Sequence, residues 1–288
     1  MAFLILIVTI VLMLMKQMLF SIFLFFICSF VHGAKVDTID VFSNSMHKHI
    51  KCVVIKPSSY KKKKVRFSSV YLLHGYEGWY SNWIIRVPEL KEYADEFGII
   101  IVCPDGDNAS WYFNSPVNPK MRYETYISQE VPHYIDSAYR TIADKNHRAI
   151  TGLSMGGHGA LFIAWRHTDE FAAAGSMSGG VDLTESKNKF EIVKVLGDTF
   201  HFADNWENYS VINVVETKLQ DSLALIIDDG SDDIFIAGNR KLHQKLLTLN
   251  MPHEYIERPP GKHSWDYWRY AVRYQLYFFK NFFNSHSK

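Results

Sequence analysis

A serine between two glycines, in Gly152-Leu153-Ser154-Met155-Gly156, is the segment of this sequence that most clearly indicates chemistry. An apolar run precedes this G-x-S-x-G pattern, and an Ala/Leu-rich stretch follows it. That order predicts a strand, a sharp turn and a helix, with the serine hydroxyl projecting from the turn as a nucleophile. The two glycines lack a Cβ atom, so strand and helix can approach closely. The following helix N-terminus favours a developing negative charge.

Stabilising the oxyanion of an acyl intermediate requires two backbone N–H donors, and two turns offer them. The amide of Met155, directly after the serine, is the first candidate. The second is the amide of Tyr76, in a glycine-rich turn, HGYEG, that follows an apolar run. We expect His74 in that turn to support it by hydrogen bonds rather than to act as a base.

A serine nucleophile needs a histidine base, which in folds with this turn follows the acid along the chain. Four of the 13 histidines come late enough: His243, His253, His263 and His286. The first lies in a predicted helix, the second begins a predicted strand, and the last is in the C-terminal tail. His263 lies in a loop, RPPGKHSW, between the last predicted strand and the last predicted helix. It is therefore the predicted base.

Four aspartates compete to orient this histidine: Asp228, Asp229, Asp232 and Asp233, in the segment LALIIDDGSDDIF. The first two directly follow an apolar strand, where they can shape the turn. Asp232 can cap the next helix through its side chain. Spacing alone does not separate Asp232 from Asp233, so both remain candidates at this point.

Apolar strands that alternate with helices would position these residues. An antiparallel hairpin is predicted at 36–42 and 48–56, and further strands at 69–73, 99–103, 148–151, 172–177, 223–227 and 253–257. Helices are predicted at 88–97, 124–139 (disturbed at Pro132), 156–166, 236–249 and 264–283. The alternation predicts one α/β domain over residues 35–288, a mostly parallel sheet with helices on both faces. In such sheets the functional site lies at the carboxyl ends of the strands.

Composition restricts the classes of partner. The 288 residues are 48% apolar and 21% charged with a formal net charge of +1, which favours a sizeable core and disfavours nucleic acid as a partner. The lysine run 61–64 is expected to be a solvated turn. No metal-ligand pattern such as C-x-x-C or H-E-x-x-H occurs in the sequence. Cys52 and Cys103 lie in predicted core strands, so we expect buried free thiols, although export permits a disulfide.

Residues 1–34 have the features of a signal peptide. Lys16 supplies a positive charge, residues 18–30 are an apolar core, and small residues at 33–34 fit a cleavage site. Residues 1–15 can be an extension from an upstream start codon. The alternative is an uncleaved leader that anchors the chain in a membrane. We therefore expect a secreted or periplasmic protein that has no membrane contact after cleavage.

Five segments in the same order resemble the putative esterase family of α/β-hydrolases: LLHGYEGWYSNW, PDGDNASWYFNSP, GLSMGGHGAL, DDGSDDIFIAGNRKLHQKL and PPGKHSWDYW. That family includes feruloyl and acetyl xylan esterases, tributyrin esterases, S-formylglutathione hydrolases and mycolyltransferases, and the similarity spans residues 36–283. It implies an α/β-hydrolase fold without a large lid, a Ser-Asp-His triad and no cofactor. The family's Gly-x-x-Asp pattern corresponds to Gly230 and Asp233, which favours Asp233 over Asp232.

The resemblance implies a serine carboxylic-ester hydrolase, and the leader favours exported members that act on feruloyl or acetyl esters of plant polysaccharide. The expected partner is thus a small ester or an esterified polysaccharide. We expect Trp111, Tyr112 and Trp265 to line the cleft, where each could stack on a phenolic ring or a sugar, or could simply pack. The alternatives are an acyltransferase with the same triad and a non-catalytic binding module on the same scaffold. The sequence specifies neither the acyl group nor the oligomeric state.

Overall fold

The computed structural model describes residues 1, 9, 12–17, 33–187, 189–217 and 223–287. Contacts divide the chain into two units, residues 1–33 and Ala34–Lys288. In the first unit, residues 12–17 are helical and exposed. Of the predicted leader, residues 2–8, 10–11 and 18–32 lie outside the described residues. Among the helices that are described, none is both long enough and apolar enough to cross a bilayer.

The second unit is built on a sheet of eight described strands: β1 Lys35–Ser43, β2 Lys48–Lys56, β3 Ser69–Leu73, β4 Ile100–Pro104, β5 Arg148–Gly152, β6 Ala173–Met177, β7 Ala224–Gly230 and β8 Glu254–Arg258. Their order across the sheet is β1-β2-β4-β3-β5-β6-β7-β8. The pairs β1–β2 and β2–β4 are antiparallel, whereas all the others are parallel. The predicted hairpin and mostly parallel sheet are therefore confirmed.

Helices connect these strands. In chain order they are α1 Asn82–Arg86, α2 Leu90–Phe97, α3 Tyr123–Thr125, α4 Val131–Ala138, α5 Met155–Arg166, α6 Val193–Leu196, α7 Ala203–Asn208, α8 Val211–Thr217, α9 Ile236–Thr248 and α10 Trp265–His286. In the described part of the chain, 3-10 turns occupy Ser58–Lys61, Lys145–His147 and Leu183–Ser186. A π-helical turn, Tyr126–Glu130, joins α3 to α4 just before Pro132. Proline has no N–H to donate back along the helix, which accounts for the predicted disturbance there.

Two hydrophobic layers cover the sheet. On one face, α2 and α10 contribute buried side chains such as Leu90 and Phe279. On the other face, α5 and α9 contribute side chains such as Phe162 and Leu242. Fully burying one such side chain stabilises the fold by about 1.5–3 kcal/mol. The lysine run 61–64 is exposed outside these layers, as predicted for a solvated turn.

The two described cysteines lie on neighbouring strands but on opposite faces of the sheet. In the β2–β4 pairing, Cys52 is opposite Pro104 and Val53 is opposite Cys103. The Cys52 side chain packs in one hydrophobic layer and the Cys103 side chain in the other. Both are free, and burial raises the pKa of each thiol. The expectation of two buried free thiols is confirmed.

The carboxyl ends of four parallel strands bring the predicted site residues to one edge of the sheet. The turn HGYEG follows β3, Ser154 follows β5, Asp233 follows β7, and His263 follows β8. This is the edge at which α/β sheets place their functional sites. The sheet therefore gathers residues that lie far apart in the sequence.

Candidate active site

Ser154 occupies a sharp turn between β5 and α5. Its backbone lies at φ 53° and ψ −117°, in the left-handed half of conformational space that side chains other than glycine rarely adopt. A Cβ on Gly156 would lie 2.5 Å from the carbonyl oxygen of His74, and one on Gly152 would lie 2.6 Å from the backbone of Gly156. The two glycines therefore let the turn close tightly. The Ser154 amide donates to the Met177 carbonyl at 2.9 Å and holds the turn against β6.

Ser154, His263 and Asp233 form a hydrogen-bonded row. The distance from Ser154 Oγ to His263 Nε2 is 2.9 Å. On the other side of the ring, His263 Nδ1 lies 3.0 Å and 2.9 Å from the two carboxyl oxygens of Asp233. A carboxylate accepts from Nδ1–H, so these partners assign the proton of the neutral ring to Nδ1 and leave Nε2 as acceptor for the serine hydroxyl. The arrangement can therefore remove a proton from Ser154.

The structure separates the two aspartates that sequence spacing could not. Asp233 is buried beneath the histidine, and its Oδ1 also accepts from the Phe235 amide at 2.9 Å. Asp232 is exposed. Its amide donates to the Gly261 carbonyl at 2.8 Å, and its side chain accepts a long 3.4 Å hydrogen bond from the Ser231 hydroxyl. The side chain that contacts His263 is that of Asp233.

The other two aspartates of the segment are buried at the end of β7. Asp228 accepts hydrogen bonds from Arg258 and Tyr267, which ties the start of the His263 loop to the sheet. Asp229 accepts from the Gly230 amide at 2.8 Å. Burial, and then the nearby charge of Asp233, raises the pKa of the Asp229 carboxyl.

The two predicted oxyanion donors lie on either side of the serine. Met155 begins α5, and Tyr76 lies in the turn after β3 that lines the same cleft as Ser154. Within the described residues, neither backbone amide has a hydrogen-bond acceptor. Both donors are therefore available to an oxygen that enters the cleft.

His74 holds the Tyr76 turn in place. Its Nδ1 lies 2.8 Å from the Gly75 carbonyl, and its Nε2 accepts from the Gly106 amide at 2.8 Å. A ring nitrogen that accepts from an amide carries no proton, so Nδ1–H donates to Gly75 and the ring is neutral. The expectation that His74 supports the turn by hydrogen bonds is confirmed.

A cleft of about 310 Å³ opens over Ser154. Aromatic rings form much of its wall, and they come from three separate segments: Tyr76 and Trp79, Phe190, and Trp265 and Trp268. Among these aromatic residues, Trp265 is the one that the sequence analysis predicts to bind substrate. Trp79 could have been found, because it belongs to the same segment as the oxyanion turn. Phe190 lies just before α6 in the connection between β6 and β7, where the sequence shows no periodic pattern.

Trp111 and Tyr112 do not line the cleft, which corrects the expectation that they would. Trp111 is buried and donates its indole N–H to the Phe190 carbonyl at 3.1 Å. Tyr112 is buried and donates its hydroxyl to the His74 carbonyl at 2.9 Å. Both rings pack behind the cleft wall, so their contact with a substrate would be indirect.

The remaining late histidines lie outside this row. His243 Nδ1 and His253 Nε2 are 2.7 Å apart, and His286 ends α10. A further histidine, His158, is fully buried in α5, one turn after the serine, with its Nε2 2.9 Å from the Tyr209 carbonyl. Burial lowers the pKa of His158 to about 3, so it remains neutral. The His158 amide donates to the Ser154 carbonyl at 3.0 Å as part of α5, but among the described contacts no ring nitrogen of His158, His243, His253 or His286 bonds to the Ser154 hydroxyl.

The sheet order, the sharp turn after β5 and the helices on both faces are those of the α/β-hydrolase fold. A model of the family described as putative esterases matches residues 43–278. The chain belongs to the putative esterase family.

Individual relatives include hydrolases and an acyltransferase. The chain is 27% identical to an esterase of Mycobacterium tuberculosis over 234 residues, which are 72% of this chain and 51% of that protein. It thus spans about half the length of that relative. It is 28% identical to the diacylglycerol acyltransferase/mycolyltransferase Ag85A of Mycobacterium leprae, over 82% of this chain and 80% of that one. A solved structure of a ferulic acid esterase is 30% identical, with a TM-score of 0.75 over 87% of this chain and 98% of that chain.

Proposed function

We propose that the chain is an exported serine carboxylic-ester hydrolase that acts on feruloyl or acetyl esters of plant polysaccharide. The observation that carries the proposal is the row Ser154–His263–Asp233, with 2.9 Å between Ser154 Oγ and His263 Nε2. Family membership supports ester hydrolysis, and the similarity to a ferulic acid esterase supports the feruloyl group. Export rests on the signal-peptide features of residues 1–34.

In the first half of the reaction, Ser154 Oγ attacks the ester carbonyl carbon while its proton moves to His263 Nε2. The carbonyl oxygen becomes an oxyanion between the amides of Tyr76 and Met155, each of which donates a hydrogen bond to it. Asp233 stabilises the protonated ring through Nδ1. His263 then gives the proton to the alcohol oxygen, the ester C–O bond breaks, and the acyl group remains on Ser154.

Water completes the cycle. It attacks the acyl carbon as His263 Nε2 takes its proton, and collapse of the second tetrahedral intermediate releases the carboxylic acid and returns the proton to Ser154 Oγ. None of these steps needs a metal ion or an organic cofactor to supply charge or electrons.

Acyl transfer is the second candidate, and the similarity to the mycolyltransferase Ag85A favours it. The same acyl-enzyme would then react with an alcohol in place of water. The cleft is lined by aromatic rings and also by the polar residues Glu77, Asn82 and Arg86. Because of these polar residues, water can enter the cleft as well as an alcohol. Hydrolysis is therefore the function that we propose first.

The test is hydrolysis of methyl ferulate, p-nitrophenyl acetate and acetylated xylan by the chain beginning near Ala34. Ser154→Ala should lower kcat by at least about 10⁴-fold. The matched control is Ser231→Ala, in the loop of the acid, which should change activity by less than about two-fold. Full activity in Ser154→Ala would refute the nucleophile. Absence of hydrolysis, with Ser154 still labelled by a fluorophosphonate, would refute the substrate class alone.

Export is tested by determining the N-terminus of the released protein. An N-terminus near Ala34 is the expected result, and an intact leader would contradict it.

A further inference from the structure

A second pocket, of about 380 Å³, adjoins the cleft over Ser154. Gly78 and Trp79 line both concavities, so the two share a wall at the end of the oxyanion turn. The far side of the second pocket comes from β2 and from the turn after β4. A ligand held over Ser154 can therefore continue across Trp79 into this second pocket.

Trp79 is an exposed ring in a fixed orientation. Its side chain is among the exposed large hydrophobic groups, at 47% of full exposure. Its indole N–H donates to Ser81 Oγ at 2.7 Å, and its amide donates to Asn82 Oδ1 at 2.8 Å. A tryptophan held in this way offers a flat apolar face to solvent without losing further rotational freedom on binding.

The turns that form the second pocket are bound to one another. The Glu77 amide donates to the Asn108 carbonyl at 2.7 Å, and the Tyr80 amide donates to Asp105 Oδ2 at 3.2 Å. The bond from the Gly106 amide to His74 adds a third link. The pocket and the oxyanion turn therefore form one preorganised unit, and binding in the pocket does not require the turns to be ordered first.

The polar groups of the second pocket carry both signs of charge. Lys48 and Lys51 line it together with Asp105, Asp107 and Asn108. Lys48 Nζ donates to the Tyr123 hydroxyl at 2.9 Å, and that hydroxyl donates to Asp107 at 3.3 Å. Balanced donors and acceptors suit hydroxyl groups, which both donate and accept, better than they suit an anion. An exposed indole face beside such groups suits a sugar ring.

We propose that the second pocket binds sugar residues on the alcohol side of the ester, with Trp79 stacked on one of them, while the acyl group occupies the aromatic cleft over Ser154. This inference rests on the proposed function, and it adds where the saccharide half of the substrate lies. The two linings differ in chemistry: rings such as Phe190 and Trp268 lie around Ser154, and charged side chains of both signs lie beyond Trp79.

The first experiment compares kcat/KM for a feruloylated arabinoxylan oligosaccharide with kcat/KM for methyl ferulate. Trp79→Ala should lower the ratio of the two by about ten-fold, because only the oligosaccharide reaches the second pocket. Trp79→Phe, which keeps an aromatic face, should recover most of the ratio. Tyr277→Ala is the matched control: Tyr277 is an exposed aromatic residue on α10 and should leave the ratio unchanged. An equal loss on both substrates in Trp79→Ala would overturn the proposal.

A binding experiment separates failure of this inference from failure of the proposed function. In the Ser154→Ala background, calorimetric titration with unesterified arabinoxylan oligosaccharide should show binding that Trp79→Ala weakens by about ten-fold. No binding, together with hydrolysis of methyl ferulate by the native chain, would overturn the pocket and leave the esterase intact. Trp79-dependent binding without hydrolysis of any ester would support the pocket and refute the esterase.

Discussion

The choice between Asp232 and Asp233 depends on which way each side chain leaves the turn after β7. The amide of Asp232 faces the His263 loop and donates to Gly261, so its side chain points to solvent. Asp233 follows with its side chain buried against Nδ1 of the histidine. One residue along the turn thus separates a solvated carboxylate from one that orients the ring.

Asp233→Asn should lower kcat by about 10³–10⁴-fold, because an amide that donates to Nδ1 would hold the histidine in the tautomer that cannot accept the serine proton. Asp232→Asn is the matched variant and should change kcat by less than about two-fold. The measurement is steady-state hydrolysis of p-nitrophenyl acetate by both variants. A larger loss in Asp232→Asn than in Asp233→Asn would show that the acid is misassigned.

Among the secondary-structure elements, β5, α5 and β3 approach one another closely where they cross. Gly156 on α5 faces the carbonyl groups of Leu73 and His74 at the end of β3. The contact brings the helix N-terminus and the oxyanion turn to the same point. A side chain at position 156 would need space, and making that space would move the helix N-terminus away from the oxyanion turn.

Gly156→Ala should therefore destabilise the fold by about 2 kcal/mol, since the new methyl group would meet rigid backbone atoms. For a domain of this size, that lowers Tm by about 4–8 °C. Gly238→Ala, inside α9, is the control. There the nearest atom to a new Cβ is a Glu185 carboxyl oxygen at 3.4 Å, and alanine favours helix, so Tm should stay or rise. The Tm of each variant is measured by thermal unfolding monitored by circular dichroism. Equal Tm values in the two variants would contradict the packing argument.

Elements with a strong local pattern could be predicted from the sequence. The strand before the acid, β7, begins as a continuous apolar run, which occurs in parallel strands buried on both faces. The short strand before the serine, β5, is indicated mainly by the G-x-S-x-G turn that follows it. Helices α6, α7 and α8 could not, because each spans only four to seven residues and has too few turns to show a periodic pattern.

The burial of Trp111 and Tyr112 could not be predicted either, because it depends on glycines that lie elsewhere in the chain. The Tyr112 ring fills space that a Cβ on Gly106 or Gly159 would occupy, at 2.1 Å and 2.6 Å from it. The sequence around Tyr112 does not indicate that these two distant glycines leave space for its ring. The choice between Asp232 and Asp233 likewise depends on the three-dimensional path of the turn, which residue spacing does not specify.

For the whole molecule, the fully buried His158 makes stability depend on pH. Its pKa is about 3 in the folded chain against 6.5 as the reference value, because burial disfavours the charged ring. Above pH 6.5 the ring is neutral in both states and contributes nothing. Below that pH the unfolded chain gains a proton that the folded chain refuses, so stability falls as the pH is lowered towards 3.

At pH 5 this effect amounts to about 2 kcal/mol. His158→Gln keeps a donor for the Tyr209 carbonyl but cannot titrate, so its loss of stability between pH 7.5 and pH 5 should be smaller by that amount. Urea unfolding at the two pH values measures the difference. The exposed His133→Gln is the control and should retain the native dependence. A dependence unchanged in His158→Gln would assign the acid sensitivity to other groups.

The placement of Cys52 and Cys103 on opposite faces of the sheet has a consequence for how the chain matures. Two sulfur atoms separated by the thickness of the sheet cannot be joined while β2 and β4 remain paired. Nothing in the packing of these two residues calls for an oxidant or for an isomerase. The α/β domain can thus reach the same native state in a reducing environment and in an oxidising one.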